Sequence, residues 1–217
     1  RTCLVISALA ACGGEGPTWT PVPPTAAPDE TSTPSASDHL ERGNDYADQG
    51  KFDEAIGEYE RAIELAPDDA GNYRNLGSSL GRQEKWQEAA SAYEKAIELD
   101  PDFGEAYGDL VAAYLSLGKL SDAVDVGEHA IELSPDYAGA HVNLGAAYNE
   151  QGRTDEAIAQ WEAAVELDPN SANARVHLGR AYGKQGQLDE AAAQLEEAVE
   201  IDPDRANAHF NLGMVYH

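Results

Sequence analysis

The sequence predicts an all-α solenoid, in which antiparallel helix pairs stack one after another, over residues 38–217. The first observation is a proline that recurs every 34 residues, at Pro67, Pro101, Pro135, Pro169 and Pro203. The second is that the segments between these prolines align without insertion or deletion. A fixed period of this length is typical of stacked helical repeats and excludes most globular folds.

We number each repeat from 1 to 34 so that the recurring proline falls at position 32. This numbering gives five full repeats and one half repeat, at approximately 36–69, 70–103, 104–137, 138–171, 172–205 and 206–217.

The first helix of each repeat is predicted by a stripe at positions 4, 7, 8 and 11. In the fourth repeat these positions hold His141, Leu144, Gly145 and Tyr148, and the spacing places them on one helical face. A glycine at position 15 is expected to end this helix, except in the second repeat, which has Glu84 there.

The second helix is predicted by alanine at positions 20 and 27 of every full repeat, which indicates that helices approach closely at both places. An acidic or polar pair such as Asp53-Glu54 or Asp155-Glu156 directly precedes the alanine at position 20. We expect side-chain oxygens of these pairs to cap the first turn of the helix.

The third repeat departs from the pattern at two positions. Position 24 is aromatic or leucine elsewhere but is Gly127 here, and position 8, usually glycine, is Val111. Because a glycine inside a helix destabilises it and removes a packing side chain, we expect this repeat to be the softest joint of the array.

Together, Tyr or His at position 4, Leu-Gly at 7 and 8, Tyr at 11, Ala at 20 and 27, an aromatic residue at 24 and Pro at 32 resemble the tetratricopeptide repeat. The resemblance covers Asp38 to His217. It implies helix pairs stacked into a right-handed superhelix, with the first helices lining a concave groove that binds extended or helical peptides.

Polar side chains occupy the positions that the resemblance places in this groove. They are Asn44, Arg74, Asn75, Asp109, Asn143, Asn173, His177, Arg180, Asn207 and Asn211. Asparagine offers one acceptor and two donors, which suits it to hold a peptide backbone without reading its sequence. The alternative is that these are simply solvated polar residues. The family's carboxylate clamp is not present, because Leu40, Glu105 and Asp109 stand where it needs basic residues.

Residues 1–11 resemble a bacterial export signal. A short apolar run ends in Leu9-Ala10-Ala11-Cys12, which resembles a lipobox. The resemblance implies cleavage before Cys12, lipidation of Cys12, and a membrane-anchored lipoprotein on the periplasmic or extracellular face. An ordinary cleaved signal, with Cys12 incidental, is the alternative. Residues 12–37 are rich in Pro, Thr and Ser and are expected to form a disordered linker.

The composition argues against several function classes. The net charge is −26, and since residues 1–37 contribute −2, the remaining −24 falls on the array. Such a surface repels nucleic acid and anionic lipids. Glutamate at positions 25 and 29 of all five repeats is expected to form a solvated outer face, or else to attract a cationic partner loosely. No nucleophile elbow, phosphate loop or metal-ligand spacing occurs, so we expect neither catalysis nor a cofactor nor a metal.

The expected function is therefore that of a non-catalytic scaffold, which binds a protein or peptide in its groove as part of an envelope assembly. Two alternatives remain open at this point. The array could be a docking arm of a larger enzyme, or it could self-associate through the uncapped half repeat that carries Leu212 and Tyr216.

Overall fold

The computed structural model describes residues 33–217, of which Pro34–His217 form one compact unit. Within these residues the chain forms eleven α-helices and no β-strand, which confirms the predicted all-α solenoid. The helices are α1 (Ala36–Asp48), α2 (Phe52–Leu65), α3 (Ala70–Arg82), α4 (Trp86–Leu99), α5 (Gly104–Ser116), α6 (Leu120–Leu133), α7 (Ala138–Glu150), α8 (Thr154–Leu167), α9 (Ala172–Lys184), α10 (Leu188–Ile201) and α11 (Ala206–Val215). The predicted signal segment, Cys12 and most of the linker lie outside the described residues.

The helices pair within each repeat and then stack. Successive odd-numbered helices touch one another, whereas in residues 33–217 no two successive even-numbered helices do. The stack therefore curves, with the odd-numbered helices, the first of each repeat, on its inner side. The predicted groove residues lie on these inner helices.

The turns within repeats follow the expected chemistry. Gly50, Gly118, Gly152 and Gly186 adopt φ between 72° and 79°, the left-handed region in which glycine is favoured. Glu84 takes the same conformation, with φ of 61°, at a cost of about 1 kcal/mol for a residue that carries a Cβ.

The predicted caps of the second helices are wrong. Each of these helices begins after a residue at position 16, such as Lys51 or Arg153, whose side chain makes no capping hydrogen bond. Asp53 and Asp155 lie inside the first turn, where their charge still suits the positive end of the helix. Asp155 Oδ1 also accepts a hydrogen bond of 2.9 Å from Gln185 of the next repeat.

The array also begins earlier than residue 38. Ser35 caps α1 through a capping box with Asp38, so that helix starts at Ala36.

Close approach explains the small residues. The alanines at positions 20 and 27 are fully buried in all five repeats. A Cβ added to Gly145 would lie 2.5 Å from the Trp161 ring, and one added to Gly179 would lie 2.5 Å from Leu195. Glycine at position 8 therefore makes room for the large side chain at position 24.

In the third repeat the larger side chain is at position 8 and the glycine is at position 24, the reverse of the other full repeats. Val111 at position 8 is fully buried, and a Cβ on Gly127 at position 24 would lie 2.9 Å from Leu144 Cδ1 and 3.3 Å from Val111 Cγ2. The expected loss of packing at Gly127 is therefore wrong, because Val111 and Leu144 fill the space that the ring would occupy.

A ladder of hydrogen bonds ties neighbouring repeats together. The tyrosine at position 11 donates to the glutamate at position 25 of the preceding repeat, over 2.9 Å from Tyr114 to Glu94 and 2.7 Å from Tyr148 to Glu128. The pairs Tyr182–Glu162 and Tyr216–Glu196 continue the ladder. The glutamates at position 25, which form half of the predicted outer row, therefore accept a hydrogen bond from the following repeat in four of the five full repeats. Burial, followed by the glutamate bond, raises the pKa of Tyr114, Tyr148 and Tyr182 to about 12.

Candidate peptide-binding groove

The inner face opens into a polar cavity at its N-terminal end. This cavity, of about 420 Å³, lies between α1 and α3 and is lined by Asn44, Asp48, Asn75, Ser78 and Arg82, among others. Asn44 Oδ1 already accepts hydrogen bonds from the Tyr59 hydroxyl (2.9 Å) and from Asn75 Nδ2 (3.4 Å). The amide nitrogen of Asn44 forms no hydrogen bond to any residue in 33–217, so it can donate to a ligand.

The middle of the inner face is occupied by an internal ion pair. Arg74 Nε lies 2.7 Å from Asp109 Oδ2, although the two residues come from different repeats. The Tyr137 hydroxyl donates to Asp109 Oδ1 over 3.1 Å. Burial raises the pKa of the Asp109 carboxyl above its usual range, against the opposing effect of Arg74, and raises that of Tyr137 to about 12. Two predicted ligand-binding residues, Arg74 and Asp109, are therefore partners of each other.

Close packing of α5 against α7 narrows the same middle section. These two helices contact each other more extensively than any other pair of successive inner helices. Asn143 Nδ2 donates to the Gly108 carbonyl oxygen over 2.8 Å, and a Cβ on Gly108 would lie 3.2 Å from that of Ala140. The amide nitrogen of Asn143 thus links α7 to α5 and is not free to bind a peptide.

The C-terminal end opens into a second cavity, of about 290 Å³, between α9, α10 and α11. Its polar lining comes from Arg180, Lys184 and Asn211, and its apolar lining includes Phe210 and Met214. Asn211 Nδ2 donates to the Asn207 carbonyl oxygen over 2.6 Å, which leaves the side-chain oxygen of Asn211 available.

Two further predicted residues, Asn173 and His177, lie on α9, before the residues of that helix that line this cavity. Asn173 Oδ1 accepts from Arg205 over 3.4 Å. His177 stacks on Trp161, with ring centroids 5.0 Å apart and an interplanar angle of 14°. Burial, and then the charges of Arg180 and Arg205, lower the pKa of His177 to about 4, so the ring is neutral at pH 7.

The predicted residues therefore fall into three sections rather than one continuous row. Sequence reasoning missed Tyr137 and Arg205, which both contribute to the inner face from position 34. That position also holds Asp69, Phe103 and Ser171, so it has no shared chemistry that the period could reveal.

Two other kinds of site are absent from the described residues. None of their helices has the length and apolar character needed to cross a bilayer. Residues 33–217 also hold no group of three or more His, Cys, Asp or Glu side chains placed to bind a metal ion.

Comparison with known proteins identifies the family. A profile described as TPR repeat matches residues 43–84, 147–186 and 179–217. Two profiles described as tetratricopeptide repeat match residues 74–138 and 126–159. The chain belongs to the tetratricopeptide repeat family. It is thus a scaffold of the kind that binds other proteins, and proteins of this family are typically not catalysts.

Solved structures of the family resemble the array along most of its length. TTC0263, a thermophilic TPR protein of Thermus thermophilus, is 25% identical with a TM-score of 0.74, and the match covers 84% of this chain and 99% of that one. MamA is 29% identical with a TM-score of 0.59, over 76% of this chain and 96% of that one.

YrrB, described as a TPR protein with an unusual peptide-binding site, is 26% identical with a TM-score of 0.56. That match covers 81% of this chain and 91% of YrrB. The comparison with curated proteins gives no match.

Proposed function

We propose that this tetratricopeptide scaffold binds an extended segment of a partner protein through the two cavities at the ends of its inner face. The observation that carries the proposal is that both cavities present side-chain amides at position 6, from Asn75 and Asn211. Each amide keeps an oxygen that accepts no hydrogen bond from the described residues. Amide groups of this kind can pair with a peptide backbone of any sequence.

Two further facts support this proposal. The middle of the inner face is filled by its own ion pair and by the contact between α5 and α7, so a ligand has most to gain at the two ends. The similar protein YrrB is described as having a peptide-binding site, which shows that a related scaffold can hold a peptide.

An array of short immobilised peptides of acidic, basic and neutral composition tests the proposal. We expect a subset to bind, and we expect the Asn75→Ala/Asn211→Ala variant to bind that subset about tenfold more weakly, because two half-buried hydrogen-bonding groups are lost. Asn170→Ala is the control, since Asn170 is an exposed asparagine in a turn away from both cavities. Binding by no peptide, or equal binding by the double variant with unchanged circular dichroism, would exclude this function.

We also propose that the protein is exported and anchored to a membrane through Cys12, as part of an envelope assembly. The support is the apolar run that ends in Leu9-Ala10-Ala11-Cys12, followed by a Pro-rich segment that could act as a tether.

A cysteine exchange in a bacterial host tests this anchor. We expect Cys12→Ser to abolish acyl labelling and to release the protein from the membrane fraction, whereas Cys3→Ser, in the segment removed by cleavage, keeps both properties. Acyl labelling that survives in Cys12→Ser would refute the anchor and leave the peptide-binding proposal untouched.

A further inference from the structure

Two basic side chains in the C-terminal cavity have no partner in the described part of the chain. Arg180 and Lys184 lie one turn apart on α9, and both line the cavity. Neither forms an ion pair or a hydrogen bond with any residue in 33–217. Several other basic residues are paired with acids, Arg74 with Asp109, Arg153 with Glu156 and Arg175 with Glu197. Arg82, Lys85 and Lys119 form no ion pair in residues 33–217 either, but Arg82 shares its cavity with Asp48. Forty acidic residues stand against 14 basic ones, so a cavity lined by two cations has the opposite charge to the chain as a whole.

The cavity itself contains no acidic residue. Apart from Arg180, Lys184 and Asn211, its lining consists of glycines and apolar side chains, of which Leu195 is fully buried. Phe210 and Met214 are 69% and 66% exposed. The cavity thus combines a positive rim with an apolar wall. The neutral state of neighbouring His177 fits this environment, since added positive charge there is disfavoured first by burial and then by Arg180 and Arg205.

We propose that this cavity binds an acidic segment of a partner protein, with an Asp or Glu side chain between Arg180 and Lys184 and an adjacent large apolar side chain against Phe210 and Met214. This inference rests on the proposed peptide-binding function and names the class of its ligand. The volume of about 290 Å³ suits one or two side chains.

The charge distribution of the chain favours a short acidic peptide over long polyanions as the ligand of this cavity. The net charge of −26 repels long polyanions such as nucleic acid and an anionic membrane surface, which extend over the acidic surroundings. A short acidic and apolar segment engages the two cations locally and also buries apolar surface. The N-terminal cavity is different, because Asp48 lines it beside Arg82 and balances its charge.

Fluorescence anisotropy with two matched peptides tests the inference on the full chain. One labelled peptide carries Asp and Glu next to Leu and Phe, and the other replaces each acid with its amide. We expect the acidic peptide to bind about tenfold more tightly at low salt, and we expect Arg180→Gln/Lys184→Gln to remove this preference. Lys85→Gln/Lys119→Gln changes the net charge equally at exposed residues that precede α4 and α6, and it should keep the preference.

The outcomes separate this inference from the proposed function. Equal binding of the two peptides by the unaltered protein, or an undiminished preference in Arg180→Gln/Lys184→Gln, would overturn the acidic ligand while peptide binding itself stands. Failure of both peptides and of the peptide array would overturn both proposals. A dimer in sedimentation that Arg180→Gln/Lys184→Gln dissociates would assign the cavity to a second copy of this chain and overturn the inference.

Discussion

The tyrosine hydroxyl at position 11 is a single group whose removal reports on the coupling between repeats. Tyr148→Phe deletes the 2.7 Å bond to Glu128 and leaves the ring in place. We expect the free energy of unfolding in urea to fall by about 1 kcal/mol, the usual net value of such a bond. Tyr46 occupies the same position in the first repeat, and its hydroxyl makes no hydrogen bond within residues 33–217. Tyr46→Phe should therefore be neutral, and an equal effect of both changes would contradict the ladder.

His177 gives the array a pH dependence of known sign. Its pKa is lowered from 6.5 to about 4 in the folded protein, so between these values the unfolded chain binds a proton that the folded one does not. The stabilisation is fully present above pH 6.5 and is lost as the pH falls towards 4. We expect a loss on the order of 2 kcal/mol between pH 7 and pH 4.5 from this group.

A comparison with His177→Gln isolates this contribution. Glu58, whose pKa is lowered, and Asp109, whose pKa is raised, also titrate at acid pH, but they do so in both proteins. Urea unfolding at pH 7 and pH 4.5 should show a larger loss of unfolding free energy in the protein that keeps His177 than in His177→Gln. Identical losses would mean that burial does not hold the ring neutral.

At the scale of residues, the sequence predicted which positions matter better than it predicted which residues form hydrogen bonds with each other. The glutamates of position 25 and the tyrosines of position 11 are both evident as columns. That Glu128 accepts from Tyr148 could not be read from either column, because the bond joins residues 20 apart on helices of different repeats. Its geometry depends on how α7 lies against α6.

At the scale of elements, mutations can test whether Val111 and Gly127 in the third repeat compensate for each other in size. Val111→Gly alone should leave a cavity and cost about 3 kcal/mol, and Gly127→Tyr alone should clash with Val111 and Leu144. We expect the double variant to be destabilised by less than the sum of the two, because it restores the pairing of glycine at position 8 with a ring at position 24 that the first, second and fourth repeats use. Unfolding free energies of the four proteins form a double-mutant cycle, and strict additivity would show that the two positions do not share one space.

The elements themselves were largely predictable. Helix pairs follow from the apolar stripe, the turns from glycine at position 15, and the tight contacts from alanine at positions 20 and 27. The groove was predictable only as a set of candidates. Asn143 and Asn211 share position 6, yet Asn143 donates to the Gly108 carbonyl because α5 and α7 approach each other there. The close contact between α5 and α7 occurs at one place in the array, so a residue pattern that repeats every 34 positions cannot predict it.

At the scale of the whole molecule, charge repulsion should dominate the response to salt. The net charge is −26, and most of the ion pairs in residues 33–217 have at least one well-exposed partner, so they contribute little. Repulsion among the acidic rows acts over longer distances and is screened as the Debye length falls from about 30 Å at 0.01 M to about 10 Å at 0.1 M. We therefore expect the melting temperature to rise by a few degrees over this range of NaCl concentration.

The exposed glutamates of position 29 provide the control for this effect. Glu166 and Glu200 form no ion pair or hydrogen bond in the described part of the chain, so Glu166→Gln/Glu200→Gln removes repulsion and no attractive contact. This variant should melt at a higher temperature than the unaltered protein in 0.01 M salt, and the difference should shrink in 0.1 M salt because screening already weakens the repulsion. A melting temperature that falls with added salt would show instead that attractive pairs such as Arg74–Asp109 outweigh the repulsion in this array.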